Sequence, residues 1–378
     1  MQTEVRNTPL HQLGELLKTQ HVRKIDVVAP ADRIRMEDGL LVIEDVEPLI
    51  EGDGVTQVDG VYNPTEVFDE GISSKLAIPL AYLRRIHEHR TDLYDLNVNG
   101  WLYGADGGDP DPRSFLIRLF RGDVDGQGIG RAFLSSGFKV IDNLDVLMAT
   151  IQGINDAGVA VDVAGCDLTD RRMGIRVVCK EIGVVARRLM AGYRSPYSGK
   201  TGEDMPMLFS GFIVGNSETG NGAFTITPRA VFQACDNGLT VKADQMREVH
   251  LGGKMDDGVI QWSEETQTKA VELVASKTKD AVRTFLSEEY LTKLLAKLED
   301  KAEHEVPVKD VIQVVGKKLS FDEATIDGVL EAFMRGGQPT AGGVMQAITA
   351  YAQVEQNADK AAALEDAAIP ALEFAATL

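Results

Sequence analysis

One stretch of the chain gathers arginine and tyrosine in a way that suits contact with a nucleic-acid strand. Arg171, Arg172 and Arg176 flank a short turn, and Arg187, Arg188, Arg194 and Lys200 follow in a Gly/Ser/Pro-rich segment that also carries Tyr193 and Tyr197. In such a mixture guanidinium groups hold phosphates while aromatic faces stack on bases, each stack contributing roughly 1–3 kcal/mol. The ordinary alternative is a solvated loop whose arginines pair with the acids of the chain. Residues 113–200 carry 13 lysines and arginines against 9 acids and form the only net-basic stretch of a chain whose net charge is −19. A field of that sign opposes phosphate binding, so only a clustered basic patch would succeed.

A second constellation lies in Gly215-Asn216-Ser217-Glu218-Thr219-Gly220-Asn221-Gly222, where three glycines and two asparagines exclude regular structure. Its backbone N–H groups would suit an anion nest; they would equally suit a long hairpin turn. Leu208–Val214 reads as the buried strand entering the loop, and residues 223–227 as the strand leaving it. Thr227 and Pro228 then have the form of a helix start. Ala230, Val231, Ala234 and Cys235 would give that helix one face, and Asn237-Gly238 would close it with a left-handed cap.

Other catalytic and metal patterns fail on spacing. Gly199-Lys200-Thr201 ends like a phosphate-binding P-loop, but Arg194 stands where the first glycine belongs. In Gly126-Gln127-Gly128-Ile129-Gly130 the third glycine comes one residue early for a dinucleotide loop. A calcium loop starting at Asp123 would place Leu134 at its twelfth position, where glutamate is needed. The histidines of His87-Glu88-His89 are two apart and fall on different helix faces. No pattern for covalent catalysis appears, so neither an enzyme nor a cofactor or metal is expected.

The elements positioning these residues read as α+β, with a mainly antiparallel sheet core, packed helices and an all-helical C-terminal region. Residues 1–112 are expected to form an acidic unit of short strands (residues 25–29, 40–43 and 54–58) and a helix pair. Phe68, Ile72 and Leu76 recur every four residues in the first helix, and residues 80–90 form the second. Such a pair can read DNA, although most pairs of this kind simply pack.

Residues 113–262 form the expected central core. It contains a strand over 114–120, an amphipathic helix over 143–157 stopped by Gly158, and a strand pair joined by Asp170-Arg171-Arg172. Residues 263–378 keep helical spacing throughout, with a capping box at Ser320-Phe321-Asp322-Glu323. The Leu291-Leu294-Leu295-Leu298 stripe is too apolar to stand exposed, so this third is expected to pack on the core. Cys166, Cys179 and Cys235, odd in number and without CxxC spacing, read as reduced core thiols of a cytoplasmic protein. No run is long and apolar enough for a membrane span.

Asn216-Ser217-Glu218-x-Gly220 followed by Cys235-x-Asn237-Gly238 resembles the phage and plasmid family called domain of unknown function 932. Leu134-Ser135-Ser136 with Ile141-Asp142-Asn143-Leu144-Asp145, Leu168 to Arg172, and Ala347 to Tyr351 also fit, so the resemblance covers roughly residues 20 to 355. Asp236 departs from the threonine common in the family. The resemblance implies a phage or plasmid setting, with host cytoplasm as the compartment, where handling of single-stranded DNA in replication or recombination is a common need. The core is also similar in outline to phage single-strand annealing recombinases, an analogy of fold alone.

The leading expectation is therefore a non-enzymatic, homo-oligomeric binder of single-stranded nucleic acid. The alternatives are an acidic interaction or structural protein acting on a host or phage protein, and an enzyme acting on nucleotides through the 216–222 loop.

Overall fold

Two sheets share a border assembled from segments far apart in the chain. The computed structural model describes residues 3–47, 49–51, 54–104, 109–122, 126–138, 140–234, 238–248, 264–307, 310–336 and 338–378. The chain opens with β1 (Val5–Thr8), α1 (Leu10–Arg23), β2 (Lys24–Pro30), β3 (Ile34–Glu37) and β4 (Leu40–Ile43). A small hairpin, β5 (Leu49–Glu51) and β6 (Gly54–Thr56), precedes β7 (Gly60–Pro64). Three helices follow: α2 (Glu66–Leu76), α3 (Leu80–His89) and α4 (Thr91–Tyr103). With β8 (Ser114–Phe120) and β9 (Gly128–Ser135) the first sheet is complete, in the order β2-β8-β9-β7-β4-β3, with β7 and β9 parallel.

The second sheet begins after α5 (Asn143–Ala157) with β10 (Asp162–Leu168) and β11 (Met173–Val185). The single-turn α6 (Arg187–Met190) leads to β12 (Met207–Asn216), β13 (Phe224–Phe232), β14 (Gly238–Thr240) and β15 (Met246–Glu248). Its order is β1-β10-β11-β12-β13-β14, with β15 on β13. The rest is helical: α7 (Glu264–Phe285), α8 (Glu288–Ala302), α9 (Val311–Lys318), α10 (Glu323–Gly336), α11 (Ala341–Val354) and α12 (Ala358–Ala375). The class is α+β with a helical C-terminal region, as the sequence implied.

Strand alternation gives the second sheet two unlike faces. Met173, Ile175 and Val177 of β11, with Phe212, Val214, Phe224 and Ile226, pack on α1, α5 and α7. The intervening residues, among them Arg176, Thr225, Thr227 and Arg229, point the other way and line a polar groove. At the far end of the sheet Leu208 and Phe232 join Leu291, Leu294, Leu295 and Leu298 of α8 in one apolar core. Each buried leucine there stabilises by about 2 kcal/mol. The helical third therefore packs on the sheet.

Several expectations change. The boundary at residue 112 falls inside a sheet, because β2 pairs along its length with β8. β1 likewise leaves the first residues to pair with β10. Residues 10–23, expected to lie among strands and turns, form α1, and α4 follows the expected helix pair. The helix expected after Pro228 is the second half of β13. Proline survives there because the neighbouring strand is broken: β15 pairs Phe224 to Ile226 and β14 pairs Arg229 to Val231, leaving Pro228 between them. The cap of α10 is Asp322, whose Oδ1 accepts from the Thr325 N–H at 2.8 Å, while Ser320 takes φ 59°. Cys235, Asn237 and the boundary at 262 lie outside the described residues.

Candidate functional site

The loop after β12 is an ionic joint, not an open nest. Asn216, Ser217 and Glu218 are 2 %, 1 % and 8 % exposed. Glu218 Oε1 accepts from the Asn143 N–H at 2.5 Å, and Oε2 accepts from Arg131 Nη2 at 2.5 Å. Its carbonyl accepts from Arg118 Nη1 at 2.9 Å. Arg118, fully buried, also grips Asp26 through Nε and Nη2 (2.8 and 2.9 Å) and Asp142 at 2.7 Å. Lys24 closes on the second oxygen of Asp142. Asn216 Nδ2 donates to the Ile141 carbonyl at 3.0 Å and to Asn143 Oδ1 at 2.8 Å. Ser217 and Thr219 donate to the Arg171 and Asp170 carbonyls at 2.6 and 2.9 Å. Three motifs distant in sequence thus meet where the two sheets touch.

The joint balances three cations (Lys24, Arg118, Arg131) against three carboxylates (Asp26, Asp142, Glu218). Burial alone would push the Glu218 carboxyl up, but Arg131 and Arg118 outweigh it and hold the group below its ordinary range. Burial opposes charge at Asp142 too, and Arg118 and Lys24 again bring it down. Arg118 is held charged the same way, its burial outweighed by Asp26, Glu218 and Asp142. An anion entering here would have to displace Glu218.

The groove on the open face of the second sheet is different in kind. It has a volume of about 630 Å³, floored by β10 to β14 and walled by α12 and the end of α11. Among the described residues six cations line it, Arg6, Arg172, Arg176, Arg229, Lys242 and Arg247, against four acids, Asp167, Asp359, Glu365 and Asp366. Hydroxyls and amides of Thr225, Thr227, Thr240 and Gln245 supply neutral hydrogen-bonding groups, and among the described residues the lining contains no aromatic side chain.

Four of the cations hold an acid. Arg172 Nε donates to Asp359 at 2.7 Å, and Arg176 meets Asp167 and Asn7. Arg229 forks onto Glu365 at 3.2 and 2.7 Å, and Lys242 lies 2.9 Å from Asp366. Two glycines make room for guanidinium groups. A Cβ at Gly165 would stand 2.9 Å from Arg176 Nη2, and one at Gly238 would collide with Arg229. Arg247 is exposed and without an ion pair among the described residues.

The residues singled out as a basic patch divide. Arg172 and Arg176 line the groove. Arg171 turns away and binds Glu70 of α2 with both terminal nitrogens, which holds the Glu70 carboxyl below its ordinary range. Arg187 and Arg188 lie beyond the far end of β11, whose 13 residues span about 40 Å. Arg188 forks onto Glu303 at 2.8 Å through both nitrogens. Tyr193 is 3 % exposed within the helical core and has no face for a base, a correction to its expected stacking role. Arg194, Tyr197 and Lys200 are exposed beside the end of α10, where the Arg194 N–H donates to the Gly336 carbonyl at 3.4 Å. Gly220 takes φ 84° in the turn, as its loop position demands.

His87 does not suit a metal: Nδ1 faces Asp69 at 2.7 Å and Nε2 the Gly39 carbonyl at 3.1 Å. The Asp69 hydrogen bond raises its pKa above the ordinary histidine value. Among the described residues no cluster of His, Cys, Asp and Glu could hold a metal ion, and no helix is long and apolar enough to cross a membrane.

Arg6, Arg229, Lys242 and Arg247 were missed because no sequence window contains them together. One signal was available. Thr225-x-Thr227-x-Arg229 alternates with Phe224, Ile226 and Pro228, the pattern of a strand with one polar face. No protein-family model, curated protein or solved structure matches this chain.

Proposed function

We propose that the groove binds single-stranded nucleic acid through its sugar–phosphate backbone, without chemistry on the strand. The carrying observation is the concentration of six cations in one polar cleft of a chain whose net charge is −19. Among the described residues the lining offers cations and hydrogen-bonding groups, so binding should weaken strongly with salt. The phage or plasmid setting that the resemblance implies would place this activity in host cytoplasm, and the analogy to annealing recombinases would extend it to a homo-oligomer working in annealing or recombination.

Arg6, Lys242 and Arg247 replaced together by alanine test it. Anisotropy of a labelled single-stranded oligonucleotide across a salt series should show weaker binding for every sequence alike. The log–log salt slope should flatten by about 2, the value for three phosphate contacts on a single strand. Unchanged affinity would remove the groove from the reading. The same measurement with Arg187, Arg194 and Lys200 replaced asks whether the exposed loop binds instead.

A second reading, an interaction protein that contacts no nucleic acid, is favoured by the four groove cations already holding acids. Absence of binding at low salt would decide for it.

A further inference from the structure

Taking the groove as a polyanion site, which rests on the reading above, we infer that α12 is a built-in competitor whose carboxylates stand where phosphates would bind. Asp359 and Asp366 are seven residues apart, two turns along one stripe of the helix, or about 10 Å. They hold Arg172 at 2.7 Å and Lys242 at 2.9 Å, and Thr240 Oγ1 also donates to Asp366 at 2.6 Å. Glu365, beside that stripe, takes Arg229. Arg229 on β13, Arg172 in the turn before β11 and Lys242 just after β14 thus meet anions presented by a single helix.

The helix itself is fixed. Leu364, Ala368, Ala371 and Leu372 are buried in the C-terminal core, so competition proceeds by exchange of partners with α12 in place. The pairs differ in how readily they open. Arg229–Glu365 is almost fully enclosed, with side chains 5 % and 13 % exposed, whereas Arg172–Asp359 (38 % and 27 %) and Lys242–Asp366 (58 % and 21 %) reach solvent. An incoming strand takes Arg172 and Lys242 from their carboxylates, and the Arg229 pair remains as a fixed post. A single free phosphate displaces one tethered carboxylate poorly, because the tether keeps that carboxylate at a high effective concentration. A strand carrying several phosphates exchanges both pairs at once. The device therefore selects polymers over mononucleotides and lowers the affinity for both.

The experiment compares the full chain with the double variant Asp359→Asn/Asp366→Asn, which spares the enclosed Glu365. A second double variant, Asp322→Asn/Glu373→Gln, removes the same charge from acids that pair with Lys360 and Lys301 outside the groove. The probes are labelled oligothymidylate and a labelled mononucleotide, at low and physiological salt. The groove variant should bind the oligomer about tenfold more tightly than the parent, with a steeper salt slope, and should gain measurable mononucleotide binding. The control should gain far less, since exposed charges outside the groove are screened within about 8 Å. Equal tightening in both variants would reduce the effect to net charge and overturn the inference, and a parent that binds with no gain in the groove variant would overturn it while leaving the groove's function standing. Failure of all three proteins to bind at low salt would sink the nucleic-acid reading and this inference together. If the double variant folds poorly by circular dichroism, Asp359→Asn alone, at the more solvent-accessible of the two acids, should still tighten binding about threefold.

Discussion

The ionic joint and the polar groove are made of the same side chains in different proportion and depth. In the joint three cations meet three carboxylates, Arg118 is wholly enclosed, and its guanidinium contacts Asp26, Asp142 and the Glu218 carbonyl. In the groove six cations face four acids among the described residues, and Arg172 and Lys242 remain partly open to water. The difference shows that an arginine's task follows from burial and from the number of acids around it. Arg171 and Arg172 are adjacent in sequence, yet one clamps α2 to the border of the sheets and the other lines the groove.

The largest effect that would separate the two regions is on stability. Arg118→Met removes the hub of the joint and leaves buried carboxylates uncompensated, a loss of about 3–5 kcal/mol. Urea unfolding of the variant should begin at far lower denaturant than the parent. A loss under about 1 kcal/mol would mean that the joint does not hold the sheets together.

Next comes pH. Asp142 and Glu218 both titrate below their ordinary values. Their contribution is complete above the unfolded carboxylate range near about 4 and is lost as pH falls through the lower folded values. Urea midpoints should therefore drop steadily below about pH 4. Glu218→Gln starts less stable, since Arg131 loses its partner, but its acid limb should be shallower. An acid limb as steep as the parent's would place the titrating groups elsewhere.

The smallest stability effect belongs to the groove. Arg172→Gln breaks a half-exposed pair and should change stability by at most about 1 kcal/mol, while oligonucleotide affinity falls. A large loss of stability here would erase the distinction between the regions.

Local pattern made much of this fold legible. The helix over 143–157 with its Gly158 cap was readable because capping and apolar spacing act within a few residues. The turn joining β10 to β11 and the run of C-terminal helices were legible for the same reason. α1 was not, since only Leu13, Leu17 and Gln20 of its 14 residues are buried and the apolar stripe is thin. The strand through Pro228 was misread because the break in its neighbour, which excuses the proline, depends on β14 and β15 arriving from elsewhere. The site was least legible of all. Arg118 reaches Asp26 across 92 positions, Arg172 reaches Asp359 across 187, and no window shows such pairs. Arginine density in residues 171–200 indicated charge but not whether an acid waited for each guanidinium.

The way the groove draws on both extremes of the chain has a consequence for how the molecule comes into being. The partners of the joint all lie between Lys24 and Glu218, so every group it needs is made before the helical third. The groove needs Arg6, beside the first strand, and the acids of α12 as far as Asp366, and Arg6 Nη2 donates to the Ala352 carbonyl at 3.1 Å. Until α12 has been made, Arg229 and Lys242 lack the acids they pair with in the full chain. If the groove takes polyanions as proposed, a chain lacking α12 should hold them more tightly than the full chain, because the carboxylates of Asp359, Glu365 and Asp366 are then missing from Arg172, Arg229 and Lys242.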